Sequence, residues 1–363
     1  MRTSGLLLKV TTGIVGSLAV SAMPVAAQQA SARTVVLPYF GSAPETGIQY
    51  GGALFRIKQP PDSATRPSSG TLFASYTAKR QALAFAEIDR WSRGNDWHVT
   101  GHLEWRRFPL PFYGFGDESP DSAEEFYTPT GVRAQAVMQR RVRGPLYLVG
   151  GYGYQDVRIA HSSPNGALAS GAVLGNRGGR IGQVQFGALW DNRDDVFSSR
   201  SGSFLQLTSA VAAPAFASDY DFTRVMLDAR HFVPLGAGRV IALQAASELT
   251  SGDAPFDQIS LVGSSAYLRG YTRGRFRDRD LAAVQAEYRA HLWRKFGWAA
   301  FAGAGRVSRE VSGLVDGGAR ILPSYGLGLR RTLFSNSRSA IRVDYARGAS
   351  GQSGLYVALN EAF

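Results

Sequence analysis

The chain has 363 residues, of which 44% are hydrophobic and 19% charged, and it contains no cysteine. A mean hydropathy of −0.12 excludes a polytopic helical membrane protein, because each helical span needs about 20 apolar residues; the missing cysteines exclude a thiolate nucleophile, a disulfide framework and a cysteine metal site. The net charge of +12 would suit nucleic-acid binding, but the arginines are spread along alternating segments, which points to a positively lined interior or to arginines near anionic lipid headgroups.

The first element is a leader. Arg2 and Lys9 supply a positive start, Val10–Met23 an apolar run broken by glycine and serine, and Val25-Ala26-Ala27 a small-residue cleavage site. This pattern predicts a signal peptide over residues 1–27, cut before Gln28, and one domain over 28–363. Gln28–Arg33 then precede the first extended segment, which leaves no room there for a soluble domain.

From that point the chain reads as strands separated by turn signals, at roughly 20 residues per strand and connection. The expected strands are Gly47–Ile57, Thr71–Thr77, Gln81–Trp91, Trp97–Arg107, Gly131–Arg141, Leu146–Val157, Arg180–Trp190, Ser203–Ala212, Asp221–Phe232, Arg239–Leu249, Leu281–Leu292, Trp298–Val307, Ile321–Arg331, Ala340–Arg347 and Gly354–Phe363. Alternation is clean in several. Thr100, His102, Glu104 and Arg106 oppose Val99, Gly101, Leu103 and Trp105; Arg224, Asp228 and Arg230 oppose Val225, Leu227 and Ala229; Arg342 and Asp344 oppose Ile341, Val343 and Tyr345. A period of two, with polar residues on one face, apolar residues on the other and Tyr and Trp at strand ends, is the pattern of a transmembrane β-strand.

Single-chain bacterial barrels have even strand numbers. Thr34–Phe40, followed by a Ser42-Ala43-Pro44-Glu45 turn, supplies the sixteenth. Its Pro38 suits an edge or closing strand. The expected fold is therefore all-β, an antiparallel transmembrane barrel of 16 strands with both chain ends in the periplasm. Long connections are expected at Phe108–Thr130, Arg158–Gly179, Thr250–Asp280 and Ser308–Arg320. In the last strand Leu355, Val357, Leu359 and Phe363 are expected to share one face, with Glu361 an exception near the interface.

One connection stands out. Leu268-Arg269-Gly270-Tyr271 is a loop tip within a run that also holds Arg273, Arg275, Arg277 and Arg279. The next strand places Gln285, Glu287, Arg289 and His291 on one face and Ala282, Val284, Ala286, Tyr288, Ala290 and Leu292 on the other. An arginine-rich loop beside a strand with an inward carboxylate suggests a loop folded back into a barrel and fixed by an ion pair. Such a contact would be charge-assisted, while Gly270 would permit a tight turn or close approach and Tyr271 would pack on the inner wall.

At these residues the chain resembles the BamA/TamA-like outer-membrane superfamily, the bacterial surface-antigen barrels. Leu268-Arg269-Gly270-Tyr271 looks like the family's Val/Leu-Arg-Gly-aromatic tip of a long extracellular loop that folds into the lumen, and Glu287-Tyr288-Arg289 like the acidic motif that receives it. Tyr325–Arg330 and Ile341–Tyr345 resemble its closing strands, Asp191-Asn192-Arg193-Asp194 its Asp-x-Arg-Asp turn, and Phe112-Tyr113-Gly114-Phe115-Gly116 an aromatic-glycine element of its shorter members. One strand departs from the pattern: Phe301-Ala302-Gly303-Ala304-Gly305 has Gly303 where the family carries an aspartate. The expectation is that Arg269 keeps one acidic partner, Glu287. The resemblance implies a short, barrel-only member without POTRA domains, in the outer membrane among its lipids, acting on unfolded outer-membrane protein clients or lipid cargo.

No enzyme constellation is visible. There is no Gly-x-Ser-x-Gly elbow and no His-Glu-x-x-His, and the five histidines are scattered. His102 and Glu104 share an inward face, which fits polar lining better than acid–base work. Asp191, Asp194 and Asp195 fit a turn held by Asp/Arg pairing better than a calcium site. No cofactor, no metal and no nucleic acid is expected, and the barrel is expected to be a monomer. Three roles remain open: an assembly or translocation barrel, an outer-membrane pore or lipid-handling channel without insertase activity, and a barrel enzyme, which would need a Ser/His pair the sequence does not offer clearly.

Overall fold

The computed structural model describes residues 8–10, 32–43, 47–62, 64–161, 163–263, 267–333 and 338–363. The expected cleavage site Val25-Ala26-Ala27, the apolar run beyond Val10, and Pro44-Glu45 of the first turn lie outside the described residues.

Among the described residues the main sheet has 18 strands. Two are three-residue pieces, Leu8–Val10 and Leu110–Phe112. The others are β1 (Ala32–Ala43), β2 (Gly47–Lys58), β3 (Ser68–Thr77), β4 (Ala82–Trp91), β5 (Trp97–Arg107), β6 (Glu125–Arg143), β7 (Leu146–His161), β8 (Gly178–Asp191) and β9 (Gly202–Ala212). They continue as β10 (Phe222–Gly236), β11 (Arg239–Gly252), β12 (Asp280–Trp293), β13 (Phe296–Ser308), β14 (Leu322–Thr332), β15 (Ala340–Gly348) and β16 (Ser353–Leu359). Each pairs antiparallel with the next in the chain. Among the described residues β1 and β16 do not pair with each other, so the sheet is not closed; Leu8–Val10 pairs with β16 instead. That pairing is open only to the uncut chain, because the expected cleavage before Gln28 would remove it.

Connections divide the barrel into two ends. Gly144-Pro145, Ala237-Gly238 and Arg294-Lys295 make tight turns at one end, and Ala237 and Gly238 both have positive φ, 50° and 72°, as a two-residue hairpin turn matched to strand twist requires. The long connections, after β5, β7, β11 and β13, lie at the other end. The longest, between Gly252 and Asp280, holds a two-stranded piece, Ser260–Leu261 with Arg277–Asp278. A five-residue helix, α1 (Val311–Val315), sits in the connection after β13. Among the described residues no helix is long and apolar enough to cross a membrane.

The outer face is apolar and exposed: Leu72 is 55%, Leu103 57%, Val284 57% and Leu327 62% accessible. In water such a continuous belt would be an aggregation surface; against lipid it is the expected wall. Inward positions carry many polar residues, with aromatics such as Phe73 and Phe301 among them. Glu104, Arg106, Gln185, Gln206, Glu287 and Asp344 are all buried.

Two expectations change. β6 and β7 run further than the alternation suggests, with Tyr127 paired to His161. The added residues Phe126, Tyr127, Thr128 and Thr130 are strong strand formers, so the connections around them shorten. The last strand stops at Leu359 rather than reaching Phe363. Asn360 takes a left-handed φ of 62°, which asparagine tolerates better than most residues. The chain turns inward there. Val357 packs against Tyr39, Ala53 and Phe73, and Phe363 is buried against Phe232, Val240 and Ala242 on the inner wall.

Candidate functional site

The connection between β11 and β12 carries its tip against the inner faces of β12 to β16. Leu268, Arg269 and Tyr271 are buried. Leu268 adopts a left-handed φ of 49°, and its side chain packs with Val262, Phe276, Val307 and Leu322. A leucine in that conformation is strained by about 1–3 kcal/mol, which the buried packing of the tip offsets.

Arg269 meets two carboxylates. Its Nη2 lies 2.5 Å from Glu287 Oε2 on β12, and its Nη1 2.6 Å from Asp344 Oδ2 on β15. The guanidinium lies over the Phe301 ring of β13, 3.4 Å from the centroid. The expectation of one acidic partner is corrected here. Gly303 does leave its position without a carboxylate, and Asp344, two strands further on, supplies the second. Its signal in the sequence is alternation: Asp344 and Arg342 share the inward face of β15.

These groups belong to a larger cluster. Glu287 Oε1 accepts from Arg289 Nε at 2.8 Å and Arg330 Nη2 at 3.1 Å. Asp344 accepts from Arg342 at 2.5 Å and also from Arg330. Arg330 Nε reaches Glu361 Oε2 at 2.9 Å. Four guanidinium groups therefore share three carboxylates, and each of these side chains is at most 7% exposed. Pairs buried this deeply need each other: a lone ion left behind is far more costly than an intact pair.

Gly270 and Tyr271 complete the seat. Gly270 N donates to Tyr356 Oη at 2.7 Å. Its φ is 107°, and a Cβ there would lie 2.6 Å from the Arg347 carbonyl carbon. Tyr271 Oη donates to the Pro323 carbonyl at 2.6 Å and accepts from Ala349 N at 2.9 Å. The wall receives these side chains because it has none of its own there: a Cβ on Gly305, Gly326 or Gly348 would overlap Leu268, Phe301 or Tyr271. Tyr356 and Gly348 carry no motif signal, whereas Gly305 and Gly326 lie in the Phe301–Gly305 and Tyr325–Arg330 stretches.

The other arginines of the loop dock elsewhere. Arg275 reaches Asp121 and lies over Tyr113, and Arg277 donates to the Phe256 and Pro111 carbonyls and lies over Phe112. Gly116 N donates to the Arg277 carbonyl at 2.8 Å. The aromatic-glycine element and the arginine run thus cap the long-loop end together. On the opposite wall His102 faces Glu87 at 3.1 Å, and Glu104 is held by Arg106. Asp191 is held by Arg66 at 2.6 Å and Arg193 at 2.9 Å.

Arg269→Ala is expected to weaken the folded barrel more than Arg273→Ala. The measurement is the temperature at which the folded band converts to the unfolded one on gels; equal temperatures for the two variants would remove the special standing of Arg269.

A family model described as the Omp85 superfamily domain matches residues 66–353. Among solved structures the chain is similar to CdiB from Escherichia coli, with TM-score 0.60 and 10% identity over 99% of this chain and 68% of that one. It is similar to CdiB from Acinetobacter baumannii, with TM-score 0.58 and 12% identity over 91% of this chain and 59% of that one. BamA from Haemophilus ducreyi lacking POTRA domains 1–3 gives TM-score 0.56 and 12% identity over 92% of this chain and 70% of that one. These likenesses concern the fold. Comparison with curated proteins found no match.

Proposed function

The chain belongs to the Omp85 superfamily, and from that premise we propose that this outer-membrane barrel aids the insertion or passage of outer-membrane proteins, with the Leu268–Tyr271 tip locked against the inside of the wall. The long connections face outward and both ends of the mature domain lie in the periplasm. The observation that carries this reading is Arg269 shared between Glu287 and Asp344. A buried arginine spanning two strands fixes a loop far more firmly than an exposed pair, which is worth about 0–1 kcal/mol. The role is mechanical rather than catalytic, and the partners are membrane lipids and unfolded client chains.

A second reading, a pore or lipid-handling channel, draws on an interior cavity of about 500 Å³ lined by residues such as Glu87, His102, Gln135, Gln183 and Arg230. Depletion separates the two. If the protein assembles or translocates clients, depletion lowers outer-membrane protein content and leaves precursors in the periplasm. Unchanged protein content with altered outer-membrane lipid would overturn the assembly reading in favour of the channel.

A further inference from the structure

Two segments cross the tight-turn end of the barrel. The turn between β8 and β9, residues 192–201, is longer than its neighbours and contains an apolar pair, Val196-Phe197. It is organised from within: Asp195 Oδ1 accepts from the backbone N–H of Phe197 and Ser198, each at 2.8 Å, and Asp194 Oδ1 from those of Arg200 and Ser201. The turn then reaches across to strands at the far end of the sheet order. Phe197 packs with Phe55 and Ile57 of β2 and Leu359 of β16, with Leu37 and Ile341 beside them. Arg338, ahead of β15, pairs with Asp194. Arg66, from the connection between β2 and β3, holds Asp191 at the other root of the turn.

The C-terminal tail crosses the same end in the other direction. It leaves β16 at Asn360 and ends with Phe363 against β10 and β11, where the Phe363 carbonyl accepts from Arg289 at 2.9 Å. The two segments meet, since Glu361 N donates to the Phe197 carbonyl at 3.1 Å. Both line the interior cavity, through Arg193, Val196 and Phe197 on one side and Asn360 to Phe363 on the other.

We propose that the 192–201 turn and the 360–363 tail are a pair of crossed straps that close the tight-turn end of the cavity, and that the Phe197 anchor and the Arg338–Asp194 pair keep them shut. The device is independent of the cargo, so it stands or falls separately from the assembly reading. Burial alone would raise the Asp194 pKa, but Arg338 and the Arg200 and Ser201 amides outweigh it and hold it below the ordinary value. The pair is therefore charged at neutral pH.

The chain has no cysteine, so one introduced thiol reports access cleanly. Gln183→Cys places it in the cavity lining. The purified barrel in nanodiscs is treated with a bulky, membrane-impermeant maleimide. Labelling is expected to be slow in the otherwise unchanged barrel, and about ten-fold faster with Phe197→Ser, because the rate follows the open population. Arg338→Ala is expected to shift it in the same direction by a smaller factor, and Arg239→Ala, at a neighbouring turn, to leave it unchanged. If the Phe197→Ser barrel loses its folded band on gels, Arg338→Ala alone decides. Unchanged labelling in every folded strap variant, or labelling of the starting barrel as fast as a surface thiol, would overturn the proposal.

Discussion

Replacing Glu287 by glutamine is expected to lower the unfolding temperature of the barrel more than replacing Arg269 by alanine. The reason is a count of charges in a space that excludes water. With every group in place, four guanidinium groups face three side-chain carboxylates, Arg289 meeting the Phe363 main-chain oxygen as well. Removing Arg269 leaves three against three, and both of its former partners still have arginines to hold them. Removing the Glu287 charge leaves four against two, and the glutamine amide adds a donor among donors. Breaking a buried pair so that unmatched charge remains costs about 3–5 kcal/mol. Gel mobility against temperature, with Arg330→Gln as a third variant, tests the order. If Arg269→Ala proves the more destabilising, the surplus positive charge is being neutralised by something outside the protein.

Gly270→Ala is the second change expected to have a large effect, although it deletes no contact. Alanine at a φ of 107° is strained by about 1–3 kcal/mol, and its Cβ would lie 2.6 Å from the rigid Arg347 backbone. The tip must lift from β15, which pulls Arg269 from its carboxylates. Gly274→Ala is the comparison. Its φ is also positive, at 79°, but the Cβ would meet the far end of the Arg277 side chain rather than rigid backbone, so relief loosens the Arg277 carbonyl contacts without lifting the tip. Limited proteolysis of the 253–279 connection is expected to be faster for Gly270→Ala than for Gly274→Ala. Equal cutting would mean that the seat of the tip does not depend on Gly270.

Much of the fold was legible because a lipid-facing wall forces alternation. Trp97–Arg107 has the same bounds in the sequence reading and the structure, and the inward faces of β5, β10, β12 and β15 follow the polar residues. The pairing of Arg269 with Glu287 could be anticipated because the loop and its receiving strand are adjacent in the chain. Asp344 could not be assigned in the same way. It lies 75 residues from Arg269, and only the curvature of the sheet brings the two together. The C-terminal tail departs from the expectation because Leu355, Val357 and Leu359 alternate, and extending that period reaches Phe363. A single left-handed asparagine ends it. The turn at 192–201 is the Asp/Arg-stabilised corner that its residues suggest, but the destination of Phe197 depends on strands distant in sequence.

The bare stretch of wall formed by Gly305, Gly326 and Gly348 has a consequence for shape. Over that arc the barrel is lined at Gly305 and Gly348 by Leu268 and Tyr271 of the loop, and at Gly326 by Phe301 of β13. Drawing the loop out would not widen the barrel evenly about its axis. It would empty a smooth alcove on one side, floored by backbone and bordered by Glu287, Asp344 and their unshielded arginines, so that whatever entered would travel along that arc with a charged edge on one flank.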